Sequence, residues 1–577
     1  MAEYLSPGVY VEEFDSGSKP MEGVGTSTAG FVGLAERGPV IGVPQLVTNF
    51  ADFKRTYGGY LSENEFGQYR FLAYAVEQFF LNGGARCFVT RVAPSDAKCA
   101  KGSVPEEAPV LQFVSKNPGV WGDDISISIT PSSKAKTQVF EITGTEEEPK
   151  YRVKNAAGFL AGDIIVYQDG KSSVYARVIK SQDNVLTLSE PLPETAVDKN
   201  LLPDRVIATC EFNLELKYAD AAETYENLSF NIESANFVSK KTAKSDLIEA
   251  VYTGRETVQT VAPFDILAAG SAEEKLQVSL TGGSNGSVTS ITAADFIGTD
   301  NGAGNRTGIQ AFVDNDVVSI MAVPGVTDPN VQLTLVAHCE NLASRFAVLD
   351  MPREARKVQD VSNHREIVDS TYAAMYHPWL QVFDPLDKKN MMIPPSGSVI
   401  GIYARSDNSR GVHKAPANEV VRGCVGLDCQ FNKGEQDILN PKGVNLIRSF
   451  PGRGIRVWGA RTTSSDGSWK YINVRRLFIY IEESIKANTN WAVFEPNDEV
   501  LWVRVQRTIS VFLNNMWRDG SLAGSSPEEA FFVNIGRDTM SQDDIDNGRL
   551  ICVIGVAPVK PAEFVIFRIT QKTNTAE

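Results

Sequence analysis

The sequence contains little of what most catalytic, metal-binding or membrane functions require. It has only four histidines in 577 residues, and its seven cysteines (87, 99, 210, 339, 424, 429 and 552) are odd in number and scattered. Such cysteines are typical of reduced, buried thiols rather than of a disulfide framework. No run of 18 apolar residues occurs, so no membrane-spanning helix is predicted. The first residues, Met1-Ala2-Glu3-Tyr4, lack the features of a signal peptide, and we expect the chain to fold in the cytoplasm.

The charge is strongly negative but unevenly distributed. The formal net charge is −15, which argues against nucleic acid or an anionic membrane as the main partner. Residues 441–520 are the exception, because they contain 12 Lys and Arg against 7 Asp and Glu. This net charge of +5 in an acidic chain predicts an acidic partner for that region.

Residues 25–29, Gly-Thr-Ser-Thr-Ala, are similar to the loop that carries the nucleophile of a serine protease. A serine hydrolase also needs a histidine base and an orienting carboxylate. Ser27 precedes all four histidines (His338, His364, His377 and His413), and none of them follows a hydrolase pattern. We therefore predict no catalytic residue, while a subtilisin-like hydrolase remains an alternative that a fluorophosphonate probe on Ser27 would support.

Metal and cofactor sites are equally poorly supported. Cys424 and Cys429 form a single Cys-x4-Cys pair, and His413 lies eleven residues before it, which is too few ligands for zinc. The glycine loops at 302–304 and 451–454 lack the flanking residues of a phosphate-binding loop. The sequence predicts no metal and no cofactor.

The hydrophobic patterns predict a mixed α/β protein with a β-rich insertion. Residues 66–84 have the spacing of an amphipathic helix, and alternating strands and helices return from about 310. Between 110 and 225, short strands separated by Asp-Gly and Asp-Asn turns predict a small antiparallel sandwich or barrel. Two long helices are predicted at 472–488 and 498–518. Residues 6–14 and 562–570 are strand-like segments near the two ends.

Many blocks of this chain resemble contractile tail sheath proteins of phages, phage-tail-like bacteriocins and extracellular injection systems. They include SPGVYVEE (6–13), GFVGLAERGP (30–39), NPGVWGDDISI (117–127) and YAAMYHPWLQVFDP (372–385). Further blocks are KGVNLIRSFPGRGIRVWGART (442–462) and YINVRRLFIYIEESIKANTNWAVFEPND (471–498). The resemblance covers nearly everything except about 131–210, and the blocks occur in the family's order.

The resemblance implies a fold and a domain division. The expected fold is a subtilisin-like α/β core, an inserted β-rich sandwich or barrel domain, a C-terminal α+β domain and strand arms at both ends. We divide the chain into an arm (1–22), the first part of the core (23–110), the insertion (111–225), the sheath domain (226–460) and the C-terminal domain (461–577).

The resemblance also implies a structural, non-enzymatic function. The subunit would form a helical sleeve around an inner tube, contract, and drive the tube through a target envelope, with neighbours linked by strands that the arms exchange. The expected partners are copies of itself, the tube protein, and baseplate and cap proteins. We expect no direct nucleic-acid contact and no membrane insertion. After cytoplasmic assembly, the protein would reside in a phage tail or an extracellular injection particle.

Two sets of residues are candidates for these contacts. The arm residues that would pair with a neighbour are Val9, Tyr10, Val11, Phe14, Phe564, Val565, Ile566, Phe567 and Ile569. We expect the N-terminal arm to pivot at Gly17–Gly25. The basic residues that would face the tube are Arg475, Arg476, Lys486, Arg504, Arg507 and Arg518, with pairing to the protein's own carboxylates as the alternative. A monomeric binding or adhesion module built on residues 131–225 also remains open.

Overall fold

A computed structural model describes residues 21–145, 147–168, 173–193, 206–254, 260–269, 271 and 274–566. Within this part of the chain, the first strands are β1 (Ala29–Leu34), β2 (Gln45–Val47) and β3 (Cys87–Val92). A long β-rich region follows, with β4 (Lys101–Val104), β5 (Leu111–Ser115), β6 (Ser126–Ser132), β7 (Lys136–Thr137), β8 (Val139–Ile142), β9 (Lys150–Val153), β10 (Ile164–Gln168), β11 (Ser173–Gln182), β12 (Val185–Leu188), β13 (Ile207–Thr209), β14 (Glu211–Tyr218), β15 (Ala221–Leu228), β16 (Ile248–Tyr252) and β17 (Leu276–Ser279). The later strands are β18 (Ile320–Ala322), β19 (Phe346–Asp350), β20 (Ala373–His377), β21 (Leu380–Asp384), β22 (Lys389–Ile393), β23 (Glu419–Val420), β24 (Gly426–Leu427), β25 (Val444–Phe450), β26 (Gly454–Val457), β27 (Phe531–Ile535) and β28 (Cys552–Val556).

Helices flank these strands. They are α1 (Phe50–Tyr57), α2 (Glu63–Phe66), α3 (Leu72–Asn82), α4 (Val238–Thr242), α5 (Pro263–Leu267), α6 (Ala293–Ile297), α7 (Pro329–Leu342), α8 (Val358–Arg365), α9 (Ser396–Arg410), α10 (Lys433–Leu439), α11 (Ile472–Thr489), α12 (Glu499–Arg518), α13 (Pro527–Ala530) and α14 (Gln542–Asp546). The two long C-terminal helices confirm the predictions at 472–488 and 498–518. The helix predicted at 66–84 is shorter, because the regular turns begin only at Leu72 and end at Gly83, which has the left-handed backbone of a helix terminus.

A nine-stranded sheet in the order β2-β3-β1-β18-β19-β20-β25-β26-β23 forms the body of the protein. The strands from β3 to β25 are parallel, while β2 and β26 run antiparallel beside them. Strands β1, β19 and β20 are buried along their whole length, as expected for parallel strands with helices on both faces. One hydrophobic core contains residues of α3 and α9, and a second contains residues of α7 and α8. This confirms a mixed α/β multidomain protein.

The β-rich region interrupts this sheet between β3 and β18. It is longer than the predicted 111–225, since its strands run from Lys101 to Ser279. The four-stranded sheet β15-β14-β6-β17 and the three-stranded sheet β16-β5-β4 contribute to one hydrophobic core. The predicted end at residue 225 is too early because β16 and β17 join this unit only after the short helices α4 and α5. A helix after a run of strands is easily taken as the start of another domain.

A second β unit is nested inside the first. Its sheet has the order β7-β13-β10-β11-β12-β9-β8, and only Gln138 separates its two outermost strands in sequence. The stretch 136–142 therefore pairs with β13 through its first half and with β9 through its second half, which closes the sheet into a barrel. The barrel has a separate core that includes Tyr151, Ile165, Tyr167 and Val178.

The C-terminal unit consists of α11, α12 and the two-stranded sheet β27-β28. Its core includes Leu477 and Ile481 of α11, Trp502 and Phe512 of α12, and Val533 of β27. Most of the large apolar side chains of α12 lie on one face, and that face supplies the buried contacts. None of the helices in the described ranges is both long and apolar enough to cross a membrane.

Candidate assembly surfaces

The chain leading into β1 is fixed against α11. The backbone N–H of Val24 donates to Ser484 Oγ (3.1 Å), and the Asn488 side-chain amide donates to the Glu22 carbonyl (2.8 Å). Gly23 lies so close to Tyr480 that a Cβ there would be 1.9 Å from the tyrosine oxygen. The absence of a side chain at Gly23 therefore lets the backbone pack against Tyr480, and Gly23 is not a point at which the chain bends freely. The predicted pivot at Gly17–Gly25 is wrong for its last residues, because those from Glu22 onward are held in place.

Two of the six basic residues predicted to face a tube are buried inside the protein. Arg476 donates to both carboxylate oxygens of Asp407, at 2.9 and 2.6 Å, and both side chains are less than 5% exposed. It also donates to the Thr26 carbonyl (2.9 Å). Arg475 lies over the ring of Trp469 at 3.7 Å and donates to the hydroxyl of Tyr372. We correct the assignment for both arginines, since neither side chain is available to a partner.

The other four basic residues are exposed. Lys486 lies near the end of α11, and Arg504, Arg507 and Arg518 lie on the solvent face of α12. Val500 and Val503, 75% and 63% exposed, share that face. Arg504 lies over the ring of Trp491 at 4.1 Å. No carboxylate in the described ranges lies within ion-pair distance of Arg504, Arg507 or Arg518, so the face is basic and partly apolar.

The C-terminal segment leaves the body at Glu563. Arg461 donates to both oxygens of this carboxylate, at 2.9 and 2.7 Å, and Asn440 Nδ2 donates at 2.7 Å. Tyr471 Oη donates a further hydrogen bond at 3.1 Å. Burial acts to raise the pKa of Glu563, but the bonds from Arg461 and Asn440 outweigh it and hold this pKa below its usual value.

The residues after Glu563 are largely exposed to solvent. Phe564, Val565 and Ile566 are 72%, 68% and 78% exposed, and none of them belongs to a strand. Three consecutive large apolar side chains in solvent are unusual for a folded domain. The remaining predicted arm residues, Phe567 and Ile569 with Val9, Tyr10, Val11 and Phe14, lie outside the described residues.

The two-stranded sheet β27-β28 leaves main-chain groups without a strand beside them. Among the described residues, each of its five-residue strands pairs along its length only with the other. Phe532 and Val553 are exposed on it. A two-stranded sheet is marginal by itself, and each of its edges can accept another strand.

No arrangement of the four histidines in the described residues matches a serine hydrolase. Ser27 is half-buried beside β1, and none of the hydrogen bonds of these histidines reaches it. His338 contacts Arg345, His364 contacts Gln332, and His377 contacts Cys429. Sequence reasoning missed one serine–histidine contact, between Ser521 Oγ and His413 Nδ1 at 2.9 Å, because 108 residues separate the two.

The cysteine pair is not arranged as a metal site. Cys424 Sγ donates to the Gly426 carbonyl, whereas Cys429 contacts His377. Burial raises the pKa of each thiol to about 11, so both remain protonated at neutral pH. In the part of the chain that the structure describes, no three His, Cys, Asp or Glu side chains converge as metal ligands would.

The carboxyl end of the parallel sheet, where open α/β sheets bind ligands, is filled by the protein itself. Asp350, at the end of β19, accepts hydrogen bonds from the Gly325 N–H, the Ser396 N–H and the Ser396 hydroxyl. Burial raises the pKa of Asp350 to about 6, although these bonds act against the rise. Asp350 thus joins the loop after β18 to the first turn of α9.

Family models match the chain from residue 298 onward. Residues 298–463 match the phage tail sheath protein central domain, and residues 464–572 match the phage tail sheath C-terminal domain. A prophage major tail sheath protein of Pseudomonas aeruginosa is 25% identical over 48% of this chain and 72% of its own length. The tail sheath protein of Burkholderia phage BcepMu is 26% identical over 41% of this chain and 54% of its own length. These relatives are structural proteins, not enzymes.

Solved structures show the same fold along nearly the whole chain. The sheath of an extracellular contractile injection system, PVC, in the contracted state covers 99% of both chains with a TM-score of 0.52 and 21% identity. A sheath tail protein from Desulfitobacterium hafniense has a TM-score of 0.50 at 12% identity and covers 96% of this chain and 100% of its own.

Proposed function

We propose that this chain is a tail sheath protein, as the matches of residues 298–463 and 464–572 support, and that it polymerises as a helical sleeve around an inner tube. On contraction the sleeve would drive that tube through a target envelope. The observation that carries the proposal is the C-terminal segment, fixed at Glu563 and followed by three exposed apolar residues. Such a segment suits a strand that is completed by a neighbour.

The sheet β27-β28 is the acceptor that we propose for the arms. Its two edges could receive one strand each, from residues 6–14 of one neighbour and from the residues after Glu563 of another, which would give a four-stranded sheet. Five main-chain hydrogen bonds contribute roughly 1 kcal/mol each. Burying each apolar arm residue adds about 1.5–3 kcal/mol, and ordering each arm residue costs of order 1–2 kcal/mol. One link is therefore weak, and its strength would come from repetition.

We propose that contraction draws its free energy from surfaces that become buried only in the contracted lattice, so that no nucleotide is consumed. The body would be the subtilisin-like core of the family, and its parallel sheet between two helical layers supports that assignment. The C-terminal domain would begin near residue 461. Baseplate and cap proteins would bind the ends of the sleeve, and the whole particle would be a phage tail or an extracellular injection system.

We place the tube contact on the exposed face of α12 with Lys486. Arg504, Arg507 and Arg518 there would bind acidic side chains of the tube, while Val500 and Val503 would add apolar contact. Exposed ion pairs are weak and sensitive to salt, which suits a surface that must release its partner.

Electron microscopy of the protein with and without residues 1–20 tests the arms. We expect hollow striated sleeves from the full chain, and a folded monomer without long sleeves from the truncated one, because only the strand donor is lost. Circular dichroism and size-exclusion chromatography check that the truncated chain folds. Sleeves of normal length from the truncated chain would contradict strand exchange.

Charge reversal tests the tube contact. We expect Arg504→Glu with Arg507→Glu to reduce co-assembly with a co-expressed tube protein at low salt. Lys240→Glu with Lys241→Glu, two exposed lysines at α4, makes the same change of charge elsewhere and should have no effect. Equal co-assembly of both double variants would refute the assignment of this face.

A further inference from the structure

Four side chains of α11, spaced four residues apart, contact the chain just before β1. Arg476 bonds the Thr26 carbonyl, Ser484 accepts from the Val24 N–H, and Asn488 bonds both the N–H and the carbonyl of Glu22. Tyr480, the remaining member of the series, packs against Gly23. Residues four apart lie on one face of a helix. Residues 22–26, which we call the N-terminal root, therefore lie along one face of α11.

The C-terminal segment is held at the beginning of the same helix. Asn473 Nδ2 donates to the Val559 carbonyl (3.1 Å), and Tyr471, the residue before the helix, donates to Glu563. Arg461 and Asn440 complete the bonds to that carboxylate. Residues 559–563 form what we call the C-terminal root. The two roots thus lie against one 18-residue helix, which at 1.5 Å per residue is about 27 Å long.

Helix α11 is itself fixed to the body. Arg476 forms its ion pair with Asp407 of α9, and Asn473 donates to the carbonyl of His413, just after α9. Thr26 joins the same group, since its hydroxyl donates to Asp407 Oδ2 at 2.7 Å. Both roots are therefore bonded to α11, and α11 is bonded in turn to α9 and to His413.

We infer that α11 is the spacer that positions both terminal arms. The helix keeps the points at which the two arms leave the body, Glu22 and Glu563, at a fixed separation. The inference rests on the proposed function in one respect, that the arms link neighbouring subunits. The contact of the two roots with α11 belongs to the single subunit, and it is tested on the isolated subunit.

A disulfide across the N-terminal root tests the docking. In the isolated subunit, Glu22→Cys with Asn488→Cys should form a cross-link under mild oxidation, because the Asn488 amide bonds the backbone of residue 22. The control is Glu22→Cys with Lys486→Cys, because Lys486 is exposed on α11 and forms an ion pair with Glu483 rather than a contact with the N-terminal root. We expect at least tenfold more cross-link in the first pair, and equal yields would overturn the inference. If either variant fails to fold, Val24→Cys with Ser484→Cys replaces the first pair.

The cross-linked protein then tests whether the root stays docked during assembly. Sleeves should form in equal number and length from the oxidised and the reduced protein. Sleeves from the reduced protein alone would overturn the inference, because the root would then have to leave the helix. If the wild-type chain also forms no sleeves, the proposed function fails, and the cross-linking yields alone decide whether the root is docked.

The C-terminal root is tested by limited proteolysis. We expect Glu563→Ala to speed chymotrypsin cleavage after Phe564 about tenfold in the isolated subunit, because the four hydrogen bonds to the carboxylate that hold the preceding residues are lost. Lys560→Ala changes an exposed residue in the same root and should leave the cleavage rate unaltered. Equal rates in the two variants would overturn the assignment of this root.

Discussion

Arg476 and Asp407 form an ion pair that is almost completely removed from solvent. Removing one member leaves the other charge buried without a partner, which typically costs about 3–5 kcal/mol. We expect Arg476→Ala to lower the free energy of unfolding by that amount in urea. Replacing both residues by leucine should cost less than Arg476→Ala alone, because no charge is left. Arg504→Ala, an exposed control, should change the stability by less than about 0.5 kcal/mol.

Asp350 should give the stability a distinct pH dependence. Its pKa of about 6 in the fold is higher than in an unfolded chain, so the folded state binds the proton more tightly. The stabilisation is complete below pH 4 and is lost as the pH rises toward 6. We expect the difference in unfolding free energy between the wild type and Asp350→Asn to shrink over this range, by up to about 1.4 kcal/mol per pH unit. A constant difference in urea unfolding at pH 4, 5 and 6 would contradict this.

The exposure of some basic residues could be predicted from the sequence, and the burial of others could not. The exposure of Arg504 and Arg507 follows from the spacing of the large apolar residues of α12, most of which lie on the opposite face. The burial of Arg475 and Arg476 could not be predicted, because α11 is covered on several sides by elements distant in sequence, such as Thr26, Tyr372 and Asp407. The prediction of a flexible pivot at Gly23 is wrong for a related reason. Glycine also occurs where two segments pack too closely for a side chain, as Gly23 does against Tyr480.

The crossing of α3 and α9 depends on two glycines. A Cβ at Gly397 would be 2.4 Å from the carbonyl oxygen of Ala75, and one at Gly401 would be 2.5 Å from that of Phe79. We expect Gly401→Ala to destabilise the protein by about 1–3 kcal/mol, because the two helix backbones must separate. Gly467→Ala, at a site with open space, should be neutral. Thermal unfolding of both variants checks the prediction, and equal midpoints would refute it.

Elements with a strong local pattern were predicted well, and those closed by distant partners were not. The helices at 472–489 and 499–518 are long and periodic, and their predicted ends differ from the observed ones by one residue. The turns between 110 and 225 indicated a sandwich or barrel, and the region contains parts of both. The closure of the barrel at Gln138 and the return of β17 depend on pairing across many residues, which local patterns do not encode.

At the scale of the whole molecule, the nested barrel should be dispensable for folding. It has its own core, and the chain enters and leaves it where Ser132 of β6 pairs with Glu211 of β14. We expect that replacing residues 133–210 by Asn-Gly leaves a soluble, cooperatively unfolding protein. Glu211→Gln is included, because Lys134, the partner of this buried carboxylate, is removed.

Size-exclusion chromatography, circular dichroism and electron microscopy of the shortened chain check this prediction. The intact protein carrying Glu211→Gln alone is the control for the charge. Aggregation of the shortened chain under conditions where the control is monomeric would show that the barrel supports the core of the surrounding sandwich. Loss of sleeves with an intact fold would instead give the barrel a role in assembly.

The entry and exit of the barrel are neighbouring strands that continue one antiparallel ladder, from Ser132 and Glu211 to Thr137 and Ile207. Another domain could therefore be inserted at this position in the ladder. A fluorescent reporter, an affinity tag or an enzyme whose two termini lie side by side could replace the barrel without rerouting the chain. In the sleeve that we propose, each subunit would carry one such passenger, at a spacing set by the lattice.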